Sequence, residues 1–173
     1  MGLNPLGEPK AQDVEALENQ FGPAVRDNER PGKNRTLKDT RYFRRFRGVS
    51  QRLYDLLGRE SGVAHTDLVK CSSKRFLFGR AAEGMIANCL PFLEAQLTRY
   101  HPRLVLCNGA DVVAAVGRIV GRGPTSDETS YTVTHDGHEI TLVCSGFIQR
   151  LDRHAQRRLG REVEAYMDQF GIV

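Results

Sequence analysis

A short basic and aromatic run, Arg41-Tyr42-Phe43-Arg44-Arg45-Phe46-Arg47, carries the most distinctive chemistry in this sequence. Guanidinium groups neutralise phosphates and release counterions, and flat aromatic rings stack on unpaired bases. The two residue types in one run therefore indicate a segment that binds nucleic acid. The alternative is a solvated basic helix face, which the same run also fits.

The charge balance points to the same part of the chain. The formal net charge is only +4, but residues 26–59 carry eleven Lys and Arg against four Asp and Glu. The basic excess is thus concentrated around the aromatic run, as expected of a local phosphate-binding surface.

Composition describes the rest of the protein. With 173 residues, 40% hydrophobic and 27% charged, residues 1–173 are expected to form one globular domain. No apolar run approaches the ~20 residues of a membrane-spanning helix, and Pro5 and Pro9 interrupt the place of a signal peptide. We therefore expect a cytoplasmic monomer without membrane contact. The four cysteines form no C-x-x-C pair, which favours reduced thiols over a disulfide framework or a zinc site.

Apolar spacing predicts the elements that must position these residues. Helices are expected at 40–57, 81–100, 109–120 and 149–170, and strands at 63–69, 103–107, 131–135 and 138–144. Asp136-Gly137 between the last two strands favours a two-residue hairpin turn. His101-Pro102 is expected to stop the second helix, and Pro91 to kink it or lie near its first turn.

Strands that alternate with helices predict an α/β fold, specifically a three-layer α/β/α sandwich with a short, mostly parallel sheet. Ligands of such folds bind beyond the carboxyl ends of the strands, here 67–73, 108–109 and 145–149. A further strand is expected to lead into Gly2-Leu3-Asn4-Pro5. Because Met1 directly precedes this loop, we expect that first strand to be missing.

Four segments carry a family resemblance. They are Gly2-Leu3-Asn4-Pro5, Thr-Asp-Leu-Val-Lys-Cys at 66–71, Asn-Cys-Leu-Pro-Phe-Leu at 88–93 with Tyr-His-Pro-Arg-Leu-Val at 100–105, and Ser145-Gly146-Phe147. In this order and spacing they resemble the uracil-DNA glycosylase superfamily. The similarity is greatest to the mismatch-specific (thymine/uracil) branch, with some features of the iron-sulfur bacterial branch.

The resemblance implies roles at the base. Asn4 matches the residue that orients the attacking water, unless it is simply a turn-forming Asn before Pro. Leu3, Tyr42 and Phe43 match positions beside the flipped base, and Tyr42 is preferred for stacking because Phe43 also fits a helix core. Asp67 replaces an Asn that reads uracil; an ionised carboxylate only accepts hydrogen bonds, which suits an amino-bearing base. The alternative for Asp67 is a turn cap or a pair with Lys70 or Lys74.

The resemblance also implies contacts to the DNA backbone. Ser145 and Gly146 match the residues that approach it closely, and Gln149, Arg150 and Arg153 follow as an intercalating or phosphate-binding tip. Arg44, Arg45 and Arg47 of the basic run complete the expected DNA-binding set. The second motif departs from the family at Val143, which cannot donate a hydrogen bond to a departing base; Gln149 or a backbone amide must replace that donor.

Cys71 and Cys89 coincide with two of the cluster ligands of the iron-sulfur branch. Two thiolates do not complete a four-ligand site, so we expect buried thiols, no metal and no cofactor unless ligands come from outside this chain.

These observations predict a base-excision DNA glycosylase that hydrolyses the N-glycosidic bond of uracil or a related base in mismatched, damaged or single-stranded DNA. Two alternatives remain open. One is a catalytically impaired relative that only binds nucleic acid or a nucleobase, and the other is a nucleotide-processing enzyme with the same pocket.

Overall fold

A computed structural model of the chain describes residues 41–57, 63–68 and 80–172. Its elements follow one another along the chain as α1 (Arg41–Val49), α2 (Gln51–Leu56), α3 (Arg80–Tyr100), β1 (Leu104–Asn108), α4 (Ala110–Val120), β2 (Ser130–His135), β3 (His138–Ser145), a 3₁₀ turn (Ile148–Arg150) and α5 (Arg153–Gln169). The predicted α/β class is confirmed.

The described strands form one three-stranded sheet in the order β1-β3-β2. β1 and β3 are parallel, with Cys107 opposite Cys144, whereas β2 and β3 are antiparallel. The antiparallel pair is the predicted hairpin, and both turn residues have positive φ, 49° at Asp136 and 77° at Gly137. Such angles are those of a type I′ turn, which matches the twist of the flanking strands.

Helices pack on both faces of this sheet. On one face, α1, α2 and α5 enclose a core that includes Val49, Val143 and Val163. On the other, α3 and α4 contribute Leu93 and Val116 to a core around Cys107 and Leu142. Leu142 and Val143 belong to opposite cores because successive strand residues point to opposite faces. No helix within the described ranges is long and apolar enough to cross a bilayer.

The predicted helix 40–57 is wrong at Ser50, where the chain divides into α1 and α2. Ser50 has an extended backbone (φ −149°, ψ 126°), and its Oγ accepts a hydrogen bond from the Leu53 N–H at 3.1 Å. The hydroxyl thereby satisfies an otherwise unpaired donor at the start of α2. Only 2% of Ser50 is exposed, so the break lies inside the structure.

The predicted strand 63–69 is also wrong over residues 63–68. Val63 alone forms a bridge, parallel to Leu57. Two positions later His65 packs edge-on against the rings of Phe43 and Phe46. Contact with α1 thus holds this segment, in place of a ladder of strand hydrogen bonds.

The other element boundaries are closer to expectation. The predicted helix 149–170 begins later, because Asp152 caps α5 by accepting a hydrogen bond from the Ala155 N–H at 2.8 Å. The helix α3 ends at Tyr100 before His101-Pro102, as predicted, and Pro91 lies inside it.

Candidate nucleic-acid interface

The interface is built where β1 and β3 end side by side. The Gly109 N–H donates a hydrogen bond to the Ser145 carbonyl at 3.0 Å, and the Ser145 Oγ donates to the Cys107 carbonyl at 3.1 Å. Two of the segments that the sequence placed at the carboxyl edge, 108–109 and 145–149, are therefore adjacent. Parallel pairing of β1 and β3 places both strand ends at the same edge.

Two amide side chains hold the loop that follows β3. The Asn108 Oδ1 accepts a hydrogen bond from the Ile148 N–H at 2.8 Å. The Gln156 Nε2 donates to the Leu151 carbonyl at 3.0 Å and to the Ile148 carbonyl at 3.4 Å. Ile148 is completely buried between them. Residues 145–151, the motif loop, are thus fixed from the sheet on one side and from α5 on the other.

Phe147 projects from this fixed loop. Its side chain is 41% exposed, and Tyr100 is the other large hydrophobic residue found exposed in the described part of the chain. An exposed aromatic ring on a fixed loop offers a flat apolar surface that can pack against a base. The sequence prediction assigned no role to Phe147. The signal that could have identified it is an apolar residue directly after a glycine in a loop.

Two glycines bring α1 against the motif loop and α5. A Cβ on Gly160 would lie 1.9 Å from the Val49 carbonyl oxygen, and one on Gly48 would lie 2.6 Å from the Gln156 Oε1. At Gly160 the obstructing atoms belong to the Val49 backbone, so only glycine allows the two helices to approach this closely, whereas the Gln156 side chain opposite Gly48 can turn away. α1 also contacts the 3₁₀ turn, so the basic run and the tip after β3, which are far apart in sequence, lie together.

The predicted DNA-binding arginines lie at the surface of this assembly. Arg44, Arg45 and Arg47 of α1 are exposed, as are Arg150 and Arg153 beyond β3. The Arg47 guanidinium lies over the Tyr54 ring, 4.8 Å from its centroid. Gly146 is exposed, and Gln149 and Ser145 are half-buried. These residues give the interface a positive surface charge.

An aromatic cluster lies beside the basic run. Phe43 is 5% exposed, and its ring centroid is 5.9 Å from that of Phe46 and 4.8 Å from that of His65. The His65 Nε2 lies 4.0 Å from the Asp67 Oδ1. Thus His65, which sequence reasoning missed, links two predicted base-site residues, Phe43 and Asp67. The apolar phase of Phe43 in α1 explains its burial.

Other predicted residues do not enter this geometry. Leu3, Asn4 and Cys71 lie outside the described residues. For Tyr42 the structure describes only the helical backbone. Cys89 is 2% exposed within α3. The described ranges contain no group of three or more His, Cys, Asp or Glu side chains arranged to hold a metal ion.

Val143 lies in the core beneath the motif loop. Its side chain is completely buried and packs with Leu159 and Val163 of α5. On the opposite face of the sheet, burial, with a contribution from Cys144, raises the pKa of the Cys107 thiol to about 12. Neither position offers a proton donor or a nucleophile at the interface.

A groove of about 630 Å³ lies between α4 and the end of β3. Small residues such as Ala114 and Gly117 line it, together with Cys144 and Arg122. The Arg122 guanidinium donates to the Glu128 carboxylate at 2.6 Å and covers the Tyr131 ring at 4.8 Å. These contacts commit Arg122 to structure, and the described residues that line the groove include no carboxylate or imidazole.

Comparison with known proteins identifies one family. The model of the uracil DNA glycosylase superfamily matches residues 29–162, which cover most of the chain and include β1, α4, the hairpin and the motif loop. Neither the curated proteins nor the solved structures gave a significant match.

Proposed function

Because the chain belongs to the uracil-DNA glycosylase superfamily, we propose that it is a base-excision DNA glycosylase acting on uracil or a related mismatched or damaged base. Within the superfamily we place it in the mismatch-specific branch, on the resemblance of Gly2-Leu3-Asn4-Pro5. The observation that carries the proposal is the motif loop, which is fixed by Asn108 and Gln156 and presents the exposed Phe147 directly before the 3₁₀ turn that α1 contacts.

The motif loop performs the first step, extrusion of the nucleotide. A glycosylase must remove its target base from the stack, and apolar wedges inserted between bases stabilise the distorted duplex. Phe147 is the wedge, because it is exposed on a rigid turn next to the close approach offered by Gly146. Arg44, Arg45 and Arg150 hold the phosphates on either side of the distortion.

The extruded base is received near α1. Burial of Phe43 against Phe46 and His65 supports Tyr42 as the residue that stacks on the base, with Leu3 beside it. Asp67 reads an edge of the base as a hydrogen-bond acceptor. The pairing of Asp67 with His65 adds a second polar group at this place, since an imidazole both donates and accepts hydrogen bonds.

The chemical step is hydrolysis of the N-glycosidic bond by a water that Asn4 orients. An amide is a weak base, so catalysis depends on positioning of the water and on stabilisation of the departing base. The Val143 side chain provides no such stabilisation, since it lies in the core. Gln149 and the backbone amides of the motif loop take that role. The reaction is therefore slow and fastest on mismatched bases, for which extrusion costs least.

We further propose that residues 1–173 act as a single cytoplasmic domain, in monomeric form and without a cofactor. The family match supports the domain assignment because it spans elements on both faces of the sheet.

Single-turnover excision assays test the proposal on U:G and T:G duplexes and on a uracil-containing single strand. The parent protein should yield abasic product, most rapidly from the mismatches, and Asn4→Ala should abolish it. If no substrate yields product, the protein is not a glycosylase, and binding of DNA without catalysis replaces the proposal.

Phe147→Ala tests the wedge. Because unstacking costs a few kcal/mol per base step, we expect this variant to excise uracil about 10- to 100-fold more slowly from duplex but nearly normally from a single strand. Tyr100→Ala is the matched control, since among the described residues Tyr100 is the other exposed large aromatic, and it lies at the end of α3. An equal loss on both substrates would contradict the wedge role.

A further inference from the structure

We propose that the N-terminal half of α5 is a second DNA-binding surface, which holds the phosphate backbone of duplex DNA flanking the target base. Its contact residues are Arg157, Arg158 and Arg161, hereafter the α5 arginines. The inference rests on the proposed function and extends it, because it adds a contact to DNA that is not at the motif loop.

The α5 arginines are exposed on a helix whose charges are strongly divided. From Arg153 to Arg161 every ionisable side chain is basic, and acidic residues begin at Glu162. The apolar face of α5, which includes Leu159 and Val163, is buried against the sheet. The arginines therefore lie on the solvent side of the helix, where nothing in the core requires them.

Internal contacts do not account for these side chains. Within the described residues, the α5 arginines make no hydrogen bond or ion pair, and the one electrostatic interaction among them is that of Arg158 with the Asp152 carboxylate. By contrast, Arg52 pairs with Asp168 farther along the same helix. Three guanidinium groups without a fixed partner are free to contact an external anion.

The N-terminal end of α5 adds positive potential to the same surface. The N-terminal end of a helix carries partial positive charge and favours anions, yet the first turn of α5 contains no acidic residue. The carboxylate at this end of the helix is the capping Asp152, whose pKa is lowered by hydrogen bonds from the Ala155 and His154 N–H groups and by the nearby His154 and Arg158 side chains. A bound polyanion would therefore meet the positive potential of the helix end as well as that of the arginines.

This surface is continuous with the candidate interface. α1 crosses α5 where Val49 meets Gly160. Arg45 precedes Val49 by four residues and Arg153 precedes Gly160 by seven, and both side chains are exposed. Arg157 follows Arg153 by one turn. The basic surface thus extends from α1 across to α5.

The dimensions and the surroundings select duplex DNA as the partner. Residues 153–161 span about 14 Å of helix, and that length of duplex axis presents about eight phosphate charges. A membrane-binding helix would need an exposed apolar face beside its basic one, but the apolar face of α5 is covered. The array of arginines without exposed apolar neighbours fits a polyphosphate backbone.

The test is the salt dependence of binding to a long uracil-containing duplex. For the triple variant Arg157→Gln, Arg158→Gln, Arg161→Gln, the slope of log K against log salt should become shallower by about 2.7, because each lost phosphate contact removes about 0.9. The loss of affinity between ~50 and ~200 mM salt should then be about 40-fold smaller than in the parent. The triple Lys variant, which keeps the charges, should retain the parental slope.

A matched control is Arg99→Gln, which removes one exposed charge from α3 on the opposite face of the sheet. It should leave the slope unchanged, whereas Arg161→Gln alone should reduce it by about 0.9. A parental slope in the triple variant would overturn the inference, as would an equal effect of Arg99→Gln.

The outcome is distinguishable from failure of the proposed function. If the parent excises no base but the triple variant still lowers the slope, the α5 surface stands and the glycosylase proposal fails. If the parent excises uracil while the triple variant binds with the parental slope, the glycosylase proposal stands and the α5 surface fails.

Discussion

Substitution of Gly160 by Ala tests the packing on which the whole interface depends. The new Cβ would lie 1.9 Å from the Val49 carbonyl oxygen and 3.0 Å from its carbon. Carbon and oxygen atoms that touch across helices are normally 3.3 Å or more apart, so α1 and α5 must separate by roughly 1.4 Å. The obstructing atoms belong to the backbone, and no rotamer change can relieve the contact.

The free energy of unfolding should fall by about 2 kcal/mol. Overpacking against a rigid neighbour costs up to ~3 kcal/mol, and the better helix propensity of Ala returns ~1 kcal/mol. For a chain of this size that change lowers Tm by about 4–8 °C. Since α1 carries Arg44 and Arg45, its displacement should also weaken binding to a uracil-containing duplex.

Gly84→Ala is the matched control for this experiment. Gly84 also lies inside a helix, α3, but a Cβ there meets nothing within 4 Å. The control should therefore gain ~0.8–1 kcal/mol from helix propensity alone and bind DNA as the parent does. Urea titrations and thermal melts measure both variants. If Gly160→Ala were as stable as Gly84→Ala, the close approach of α1 and α5 would be refuted.

Three further predictions follow from single residues. Asn108→Ala leaves the Ile148 N–H without its 2.8 Å acceptor, so it should destabilise the fold by about 1–3 kcal/mol and weaken duplex binding. Asn108→Asp keeps the acceptor, so it should recover most of the stability and most of the binding, as measured by urea titrations and binding assays. Val143→His places an imidazole in a fully buried apolar site, so denaturation should show a loss of about 1–3 kcal/mol without any gain in excision rate; a faster enzyme would contradict the core assignment. Burial raises the pKa of Cys107 to about 12, so between about pH 9 and pH 12 the folded state keeps a proton that the unfolded state releases. The free energy of unfolding should therefore fall as the pH rises through this range, and the decline should be less steep in Cys107→Ala.

Local sequence signals were sufficient for most of the architecture. The hairpin followed from Asp136-Gly137, whose positive φ angles few other dipeptides accept, and the end of α3 followed from His101-Pro102. The placement of 108–109 and 145–149 at one edge followed from the rule that parallel strands end together. The turn and the helix end depend on a few adjacent residues, so the sequence alone determines them, whereas the meeting of the two strand ends also requires that β1 pair with β3.

Other features depended on neighbours that are distant in sequence. A helical apolar phase runs through 40–57, yet the buried hydroxyl of Ser50 caps α2 and divides the helix. By its place in the sequence, Val143 corresponds to a residue of the family's second motif. In the structure, the alternation of side chains along β3 places it in the core against α5. Motif order reveals which residue types are present, whereas strand pairing decides the face on which each of them lies.

The candidate interface combines both kinds of information. The sequence identified Arg44, Arg45 and Arg150 as basic residues suited to phosphate, because charge is a property of the residue itself. Only the tertiary structure brought them together, since the approach of α1 to α5 depends on a glycine, Gly160, that meets the Val49 backbone more than a hundred residues away. Likewise, exposure of Phe147 is decided by the burial of its neighbour Ile148 and by the hydrogen bonds that Asn108 and Gln156 make to the loop. Burial and long-range contact are properties of the folded chain, and no pattern of adjacent residues specifies them.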